Sequence, residues 1–224
     1  MAIADGDNSG SNVGDAVVAI TCPSLPVDHA WALSQAIGNA LPWFSAEPDA
    51  GLHTVHGAAS GAGWIRPEGA DALLQLSHRA RLTLRLPRHR VEAAAALLGR
   101  TIDVAGWPLR VDRLALRPLS RITTLHAHGV AFANADADDE IGFMSAATHE
   151  LHTLGIVPAT LLCGRMTPMA TPVGFYRIRS LMIAGLTRAH SLVLQQRGLG
   201  IERRLGCGVF IPHKDIGDLN FRPD

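Results

Sequence analysis

The sequence predicts an α+β protein made of two tandem ferredoxin-like units, each with the element order βαββαβ. Segments in which apolar residues alternate are interleaved with segments in which they recur at helical spacing. The same order of elements is repeated after about residue 120. A glycine-rich segment, "GLGIERRLGCGVFIPHK", then joins the last predicted helix to the last predicted strand. Together these observations favour a duplicated fold that ends in a glycine-rich loop.

The first unit is predicted over residues 15–120, after a disordered tail of residues 1–14. Its first helix is expected to begin at Asp28, a good N-cap residue, and to end at Pro42. Its second helix, 88–99, is expected to end at Gly99. The strands are predicted at 16–25, 52–58, 80–87 and 107–119.

The second unit is predicted over residues 121–224, with the boundary near Ser120. A long helix, 136–155, has an acidic first turn, which suits the helix dipole. A short helix, 188–198, precedes the glycine-rich loop, residues 198–208. The strands are predicted at 123–133, 159–166, 174–186 and 207–213.

The composition predicts a soluble, cytoplasmic protein. Of the 224 residues, 47% are hydrophobic, which is enough for a core. We find no apolar run as long as a membrane span and no secretory signal pattern at the N-terminus, so no membrane partner is expected. Three scattered cysteines favour a reducing compartment over a disulfide framework or a cysteine zinc site.

The charges sum to zero but are unevenly placed. Residues 1–65 hold six acids and no Lys or Arg, whereas residues 177–214 hold seven basic residues and one acid. Nearly all the cations are arginine, whose planar guanidinium binds phosphate in a bidentate manner. The distribution is compatible with a nucleic-acid-binding face, and equally with a solvated arginine-rich surface.

The glycine-rich loop does not match a nucleotide-binding motif. A P-loop has Gly-Lys-Ser/Thr between a strand and a helix, and a dinucleotide-binding turn has Gly-x-Gly-x-x-Gly before a helix. Here the order is helix, loop, strand, and Gly206 is followed by Cys207. We expect the glycines to expose backbone N–H groups to a ligand, with Arg203 and Arg204 binding phosphate. The alternative is a connection that needs glycine only for positive φ.

With its glycine-rich loop, the chain resembles the RAMP superfamily of CRISPR proteins. The segments "LPVDHAWALSQAI", "GWIRPEG", "RLTLRLP", "GFYRIRSLMI" and "GCGVFIPHK" resemble the branch that cuts precursor CRISPR RNA at each repeat. The resemblance extends from about Ala16 to Lys214. It implies metal-independent cleavage without a cofactor, in which the ribose 2′-OH attacks the adjacent phosphorus and leaves a 2′,3′-cyclic phosphate. It also implies binding of CRISPR repeat RNA and membership of a crRNA-guided effector complex.

The resemblance places a catalytic histidine in the first unit, and His29 matches it. At the first position of the first helix, the helix dipole lowers the pKa of an imidazole, whereas the neighbouring Asp28 opposes that shift. A base poised near neutral pH suits proton transfer. The alternative is a surface histidine at a helix cap.

Other histidines are weaker candidates. His53 and His56 are expected on opposite faces of a strand, so that one of them reaches the cleft. His126 and His128 share a strand face, exposed or at the seam between the units. His149 and His152 are spaced i, i+3 rather than i, i+4, which argues against a metalloprotease site. His213 is a candidate RNA contact.

The predicted RNA-binding residues belong to the basic C-terminal part of the chain. They are Arg203, Arg204, Gly206, Arg177, Arg179, Arg197 and Lys214. Two other functions are compatible with the pattern. One is a non-catalytic RNA-binding subunit on the same fold, and the other is an unrelated enzyme whose loop binds a small anion.

Overall fold

The computed structural model describes residues 11–56, 67, 69, 72–135 and 137–213. Residues alternate between buried and exposed along the strands, and each longer helix has one buried face. The fold is a mixed α+β fold. Lys214, residues 1–10 and most of "GWIRPEG" lie outside the described residues.

In the first half the elements are β1 (Val13–Thr21), β2 (Ser24–Pro26), α1 (Ala30–Ala40), β3 (Gly51–His53), β4 (Leu73–Gln75), β5 (Arg81–Pro87), α2 (Val91–Ala94), β6 (Thr101–Val104) and β7 (Trp107–Pro118).

The first half contains a five-stranded antiparallel sheet in the order β3-β5-β1-β7-β6. The strand β1 is central, and β2 and β4 form a separate short pair. The apolar face of α1, with Leu33 and Ile37 fully buried, packs over this sheet. A buried cluster that includes Val18, Leu84 and Leu109 forms the core.

The second half contains a four-stranded antiparallel sheet in the order β11-β8-β10-β9. Its own core includes Phe143, Leu181 and Phe210. The elements are β8 (Leu125–Val130), α3 (Glu140–Thr153), β9 (Thr160–Thr171), β10 (Gly174–Ala184), α4 (Arg188–Arg197) and β11 (Ile211–Pro212).

Several sequence predictions differ from the structure. The strand β1 begins at Val13, inside the predicted tail, and the N-cap of α1 is His29 rather than Asp28. The predicted helix 88–99 is broken into 3-10 turns around the four residues of α2. Only Ala94 and Leu97 are buried there, so little apolar surface holds a continuous helix in place. The predicted strand 16–25 is divided between β1 and the separate β2, and the short strands β4 and β6 were not predicted.

The last strand is also shorter than predicted. Residues 207–213 were expected to be extended, but only Ile211 and Pro212 pair with β8. Gly206 and Gly208 both have positive φ, so the backbone before β11 turns tightly and cannot join the ladder. A boundary at Ser120 stays a prediction; separate core clusters lie on either side of it.

A third, smaller apolar cluster joins the two halves. It contains Ala30 from α1, Met169 from β9, and Leu205 and Cys207 from the glycine-rich loop. The loop therefore contacts both halves, and residues that are distant in sequence meet around it.

Candidate active site between the two halves

A cavity of about 240 Å³ opens where the two halves meet. Its walls come from seven places in the chain: the start of α1, the segment after β3, and parts of β4, β8, β9, β10 and the glycine-rich loop. Its polar lining residues include Asp28, His29, His56, His128 and Arg165. Histidine rings and a guanidinium therefore converge on one concave surface, which is the arrangement expected of a catalytic site.

The glycines of the loop are required by close packing within the protein. A Cβ atom on Gly208 would lie 1.8 Å from the carbonyl oxygen of Leu199, and one on Gly200 would lie 2.1 Å from that of Ala131. The N–H groups of the loop are also used internally. Those of residues 199, 200, 201, 206, 207 and 208 all donate to acceptors of the protein. The expectation that the loop offers exposed N–H donors is therefore wrong for these positions.

Gly206 lies at the cavity wall, where the loop meets the first half. It has φ +92, and a Cβ there would lie 2.9 Å from Thr54 Cγ2 and 3.2 Å from the Leu52 carbonyl oxygen. The glycine thus lets the loop lie against the end of β3. Its N–H donates to the Arg203 carbonyl oxygen, so Gly206 contributes backbone surface to the cavity wall but not a free N–H donor.

His29 lines the cavity, but its ring is 3% exposed. Its Nδ1 lies 2.9 Å from the carbonyl oxygen of Pro26, and its Nε2 accepts the N–H of Val55 at 3.0 Å. Since Nε2 is an acceptor, the proton of the neutral ring is on Nδ1, where it donates to Pro26. We expected this ring to act as the base in proton transfer. Instead, both nitrogens are hydrogen-bonded to the backbone.

Four other histidines form a chain of ring contacts that reaches the cavity. The rings of His56 and His128 are stacked with centroids 3.9 Å apart and an angle of 31° between their planes. His126 meets His128 edge-on at 4.8 Å, and His213 lies 5.9 Å from His126. The prediction that His126 and His128 share a strand face is confirmed. Burial, together with neighbouring histidines, lowers the pKa of His126 and of His128 below the usual value.

Arg165, on β9, is an exposed cation at the cavity that the sequence analysis did not single out. In the alternating pattern of its strand it looks like any surface arginine. Only the pairing of β9 with β10 places it beside the histidines of β8 and of the segment after β3.

The two arginines of the loop have different surroundings. Arg203 turns inward, and its Nη1 donates to the carbonyl oxygens of Gln196 and Arg197 at 2.7 and 2.5 Å. Its Nε and Nη2 are buried and have no hydrogen-bond partner among the described residues. Burial and the nearby charge of Arg85 lower its pKa to about 10. The inward position corrects the expectation that Arg203 contacts phosphate. Arg204 is exposed and donates to the Ser45 carbonyl oxygen.

The remaining residues that were predicted to contact RNA differ in their exposure. Arg179 is 7% exposed and donates to the carbonyl oxygens of Ala137 and Gly164, and it pairs with Glu140. The prediction that it faces RNA is wrong, because its guanidinium ties β10 to the start of α3. Arg177 is partly exposed and pairs with Asp138, and Arg197 is exposed. Lys214 lies outside the described residues.

A buried ion pair beneath the site joins the two halves. Arg85 of β5 is fully buried and forms two hydrogen bonds with Asp15 of β1, at 2.9 and 3.1 Å. Its Nη1 donates to the carbonyl oxygens of Gln195 and Phe210 in the second half. His53 lies 3.4 Å from the same carboxylate.

Asp15 is expected to make the stability of the protein depend on pH. Burial opposes its ionisation, but the adjacent His53 ring and Arg85 guanidinium outweigh burial and hold the pKa well below its usual range. Its stabilising effect is therefore complete above an unfolded pKa of about 3.9 and is lost as the pH falls further. We expect the difference in unfolding free energy between the unmutated protein and Asp15→Asn to shrink from pH 5 to pH 3. A constant difference in urea titrations would contradict this.

Within the described part of the chain, no group of three or more His, Cys, Asp or Glu side chains is arranged to hold a metal ion. His149 and His152 lie on α3, away from the cavity. No helix within the described ranges is long and apolar enough to cross a membrane.

The fold is similar to that of solved CRISPR-associated proteins. A solved structure described as CRISPR associated protein Cas6 matches with a TM-score of 0.59 and 12% identity, over 90% of this chain and 100% of that chain. A structure of Thermus thermophilus Cse3 bound to an RNA matches with a TM-score of 0.51 and 12% identity, over 89% of this chain and 98% of that chain. At these identities the likeness concerns the fold alone.

Sequence comparison gives the family. The family model described as Cas6 Crispr matches residues 15–215. A protein of Myxococcus xanthus (strain DK1622), named CRISPR-associated endonuclease Cas6, is 32% identical over 192 residues, which are 84% of this chain and 76% of that protein. The chain belongs to the Cas6 family, and the resemblance seen in the sequence is confirmed.

Proposed function

We propose that this protein is a metal-independent endoribonuclease that binds CRISPR repeat RNA and cleaves precursor CRISPR RNA. The observation that carries the proposal is the cavity between the halves, where His29, His56 and His128 lie together with Arg165. The strand orders of the two sheets support a finer description of the scaffold as two ferredoxin-like units.

The residues around the cavity suit attack by the ribose 2′-OH. The reaction needs a base for the 2′-OH proton, an acid for the leaving 5′-oxygen, and positive charge near the phosphorus. Imidazoles serve as base and acid near neutral pH, and a guanidinium stabilises the developing charge on phosphate. The products would be a 2′,3′-cyclic phosphate and a 5′-OH.

The RNA is expected to lie across the exposed arginines around the cavity. Arg165 lines the cavity, and the exposed Arg204 directly precedes the lining residue Leu205 in the sequence. Arg177, which pairs with Asp138, and Arg197 are exposed elsewhere in the second half. An A-form stem offers phosphates and shape rather than a readable major groove, so binding should depend mainly on these cations and on salt. Lys214 is retained as a proposed contact because of its position just after β11.

The expected result is cleavage of the protein's own repeat RNA in the presence of EDTA. A 5′-labelled product should carry a cyclic phosphate, which acid converts to a terminal phosphate. An RNA with a 2′-deoxy sugar immediately 5′ of the cut should bind but stay uncleaved, because it lacks the nucleophile. Tight binding of the all-ribose RNA without cleavage would favour the alternative, a non-catalytic RNA-binding subunit. No binding at low salt would overturn both.

Membership of a crRNA-guided effector complex is the last part of the proposal. Retention of the cleaved stem is expected if the exposed arginines hold the product as they hold the substrate. Under single-turnover conditions the product should co-elute with the protein in gel filtration. Rapid multiple turnover would instead indicate a free processing enzyme.

A further inference from the structure

We propose that His56 and His128 transfer the protons during cleavage, and that His29 is a positioning residue that acts through His56. The inference deepens the proposed function and rests on it. It differs from the expectation drawn from the sequence, which assigned proton transfer to His29.

The stacked pair is formed by residues from the two halves of the molecule. His56 follows β3 in the first half, and His128 lies on β8 in the second. Their rings are 3.9 Å apart at the cavity, and part of the surface of His128 remains exposed. Because the two rings are in contact, an RNA backbone held at the cavity would meet both of them at once as one surface.

The hydrogen bonds of His29 explain why it is assigned a positioning role. Its Nδ1 proton is donated to Pro26, and its Nε2 lone pair accepts the N–H of Val55. To accept or donate a proton in the reaction, the ring would have to leave a buried N–H or carbonyl unpaired, which is unfavourable. Val55 directly precedes His56, so the same bond fixes the backbone from which the His56 ring projects.

The proximity of the two rings suits a division of roles. Two imidazolium ions in contact repel each other, so the pair is expected to hold at most one extra proton. Ionisable groups from every neighbouring element face the pair: His53 at the end of β3, His126 on β8, Asp28 and His29 at the start of α1, Arg165 on β9, and Cys207 in the loop. A bound phosphodiester adds a negative charge that favours the singly protonated pair.

A singly protonated pair takes up one proton and releases one proton during the reaction. The neutral imidazole takes the proton of the attacking 2′-OH as the bond from 2′-oxygen to phosphorus forms. The imidazolium gives its proton to the 5′-oxygen as the bond from phosphorus to 5′-oxygen breaks. One proton enters the pair and one leaves it, so its total charge is unchanged. Arg165 is placed to neutralise the phosphorane oxygens.

The test compares single-turnover cleavage of the repeat RNA by variants that remain folded. His56→Ala and His128→Ala should each slow cleavage by about 10²- to 10⁴-fold with RNA affinity little changed. The matched control is His126→Ala, since His126 contacts His128 at 4.8 Å but is not part of the cavity wall, and it should stay within about threefold of the unmutated rate. If His56→Ala fails to fold, His56→Gln serves in its place.

The His29 variants separate positioning from proton transfer. The side-chain oxygen of His29→Gln can accept the Val55 N–H but does not titrate near neutral pH. We expect this variant to stay within about tenfold of the unmutated rate with an unchanged pH profile, whereas His29→Ala falls further. Each variant of the stacked pair should instead lose one limb of the bell-shaped pH profile.

A modified substrate identifies the acid. An RNA with sulfur in place of the leaving 5′-oxygen needs no protonation of the leaving group, so it should restore the rate of one variant of the pair and not the other. Normal cleavage by both pair variants, together with inactivity of His29→Gln, would overturn the inference while leaving the proposed function intact. Failure of the unmutated protein to cleave would overturn the proposed function itself.

Discussion

Gly208→Ala is expected to lower the free energy of unfolding by roughly 2–6 kcal/mol, from backbone strain at positive φ together with overpacking. The φ of Gly208 is +64, and an added Cβ would lie 1.8 Å from the Leu199 carbonyl oxygen and 2.9 Å from its carbon. Both are backbone atoms, so no side-chain rotation relieves the clash. The N–H of Gly208 also donates to the Gly129 carbonyl oxygen on β8 at 2.7 Å. The loop should therefore separate from the second sheet.

A second glycine gives the matched control for this prediction. Gly99 has φ +75, but nothing lies within 4 Å of the position of an added Cβ. Gly99→Ala should thus cost only the conformational penalty of positive φ, about 1–2 kcal/mol. Urea unfolding of the three proteins measures the difference. Equal losses for the two variants would contradict the argument that close packing, rather than φ alone, requires glycine in the loop.

Arg85→Met is expected to lower the free energy of unfolding by about 3–5 kcal/mol, because it leaves the partner charge buried without compensation. The Arg85 side chain is fully buried, and its removal leaves Asp15 without its bidentate partner. It also leaves the carbonyl oxygens of Gln195 and Phe210 without this donor. Since these two carbonyls belong to the second half, the variant should also weaken the contact between the halves.

An exposed arginine in the same sheet gives the control for Arg85. Arg110 pairs with Asp112 at 3.1 Å, but the two side chains are 58% and 37% exposed. Arg110→Met should change the unfolding free energy by less than about 1 kcal/mol, as is usual for surface ion pairs. Thermal and urea unfolding report both values. A loss for Arg85→Met no larger than for Arg110→Met would show that the buried ion pair does not hold the halves together.

The type and order of the longer elements could be predicted from the sequence. The alternating pattern of "RLTLRLP" matches β5, and the helical spacing after Pro26 matches α1, because burial against a single core imposes period two on strands and about 3.6 on helices. The separation of β2 from β1 and the three-residue strand β4 could not be predicted. Such short pairs are held by neighbours in space and leave almost no periodic pattern.

The candidate site was predicted less well, because its residues meet through tertiary contacts. His29 was predicted from its place at the start of a helix and from the family resemblance, but its ring nitrogens are hydrogen-bonded to the backbone of Pro26 and of Val55, which is 26 residues away. Arg179 and Arg165 both look like strand arginines in the sequence. The first is enclosed by the start of α3, and the second lies at an open cavity.

The sequence by itself determined the class of fold, the family and the need for glycine in the C-terminal loop. These properties follow from local patterns: hydrophobic period, conformational preference and short motifs. Only the tertiary structure decided which side chains face the cavity, because that depends on how the second sheet packs against the first. In this packing the Arg203 guanidinium points inward, and both ring nitrogens of His29 are hydrogen-bonded to the backbone. The same packing brings His56 into contact with His128, which is 72 residues further along the chain.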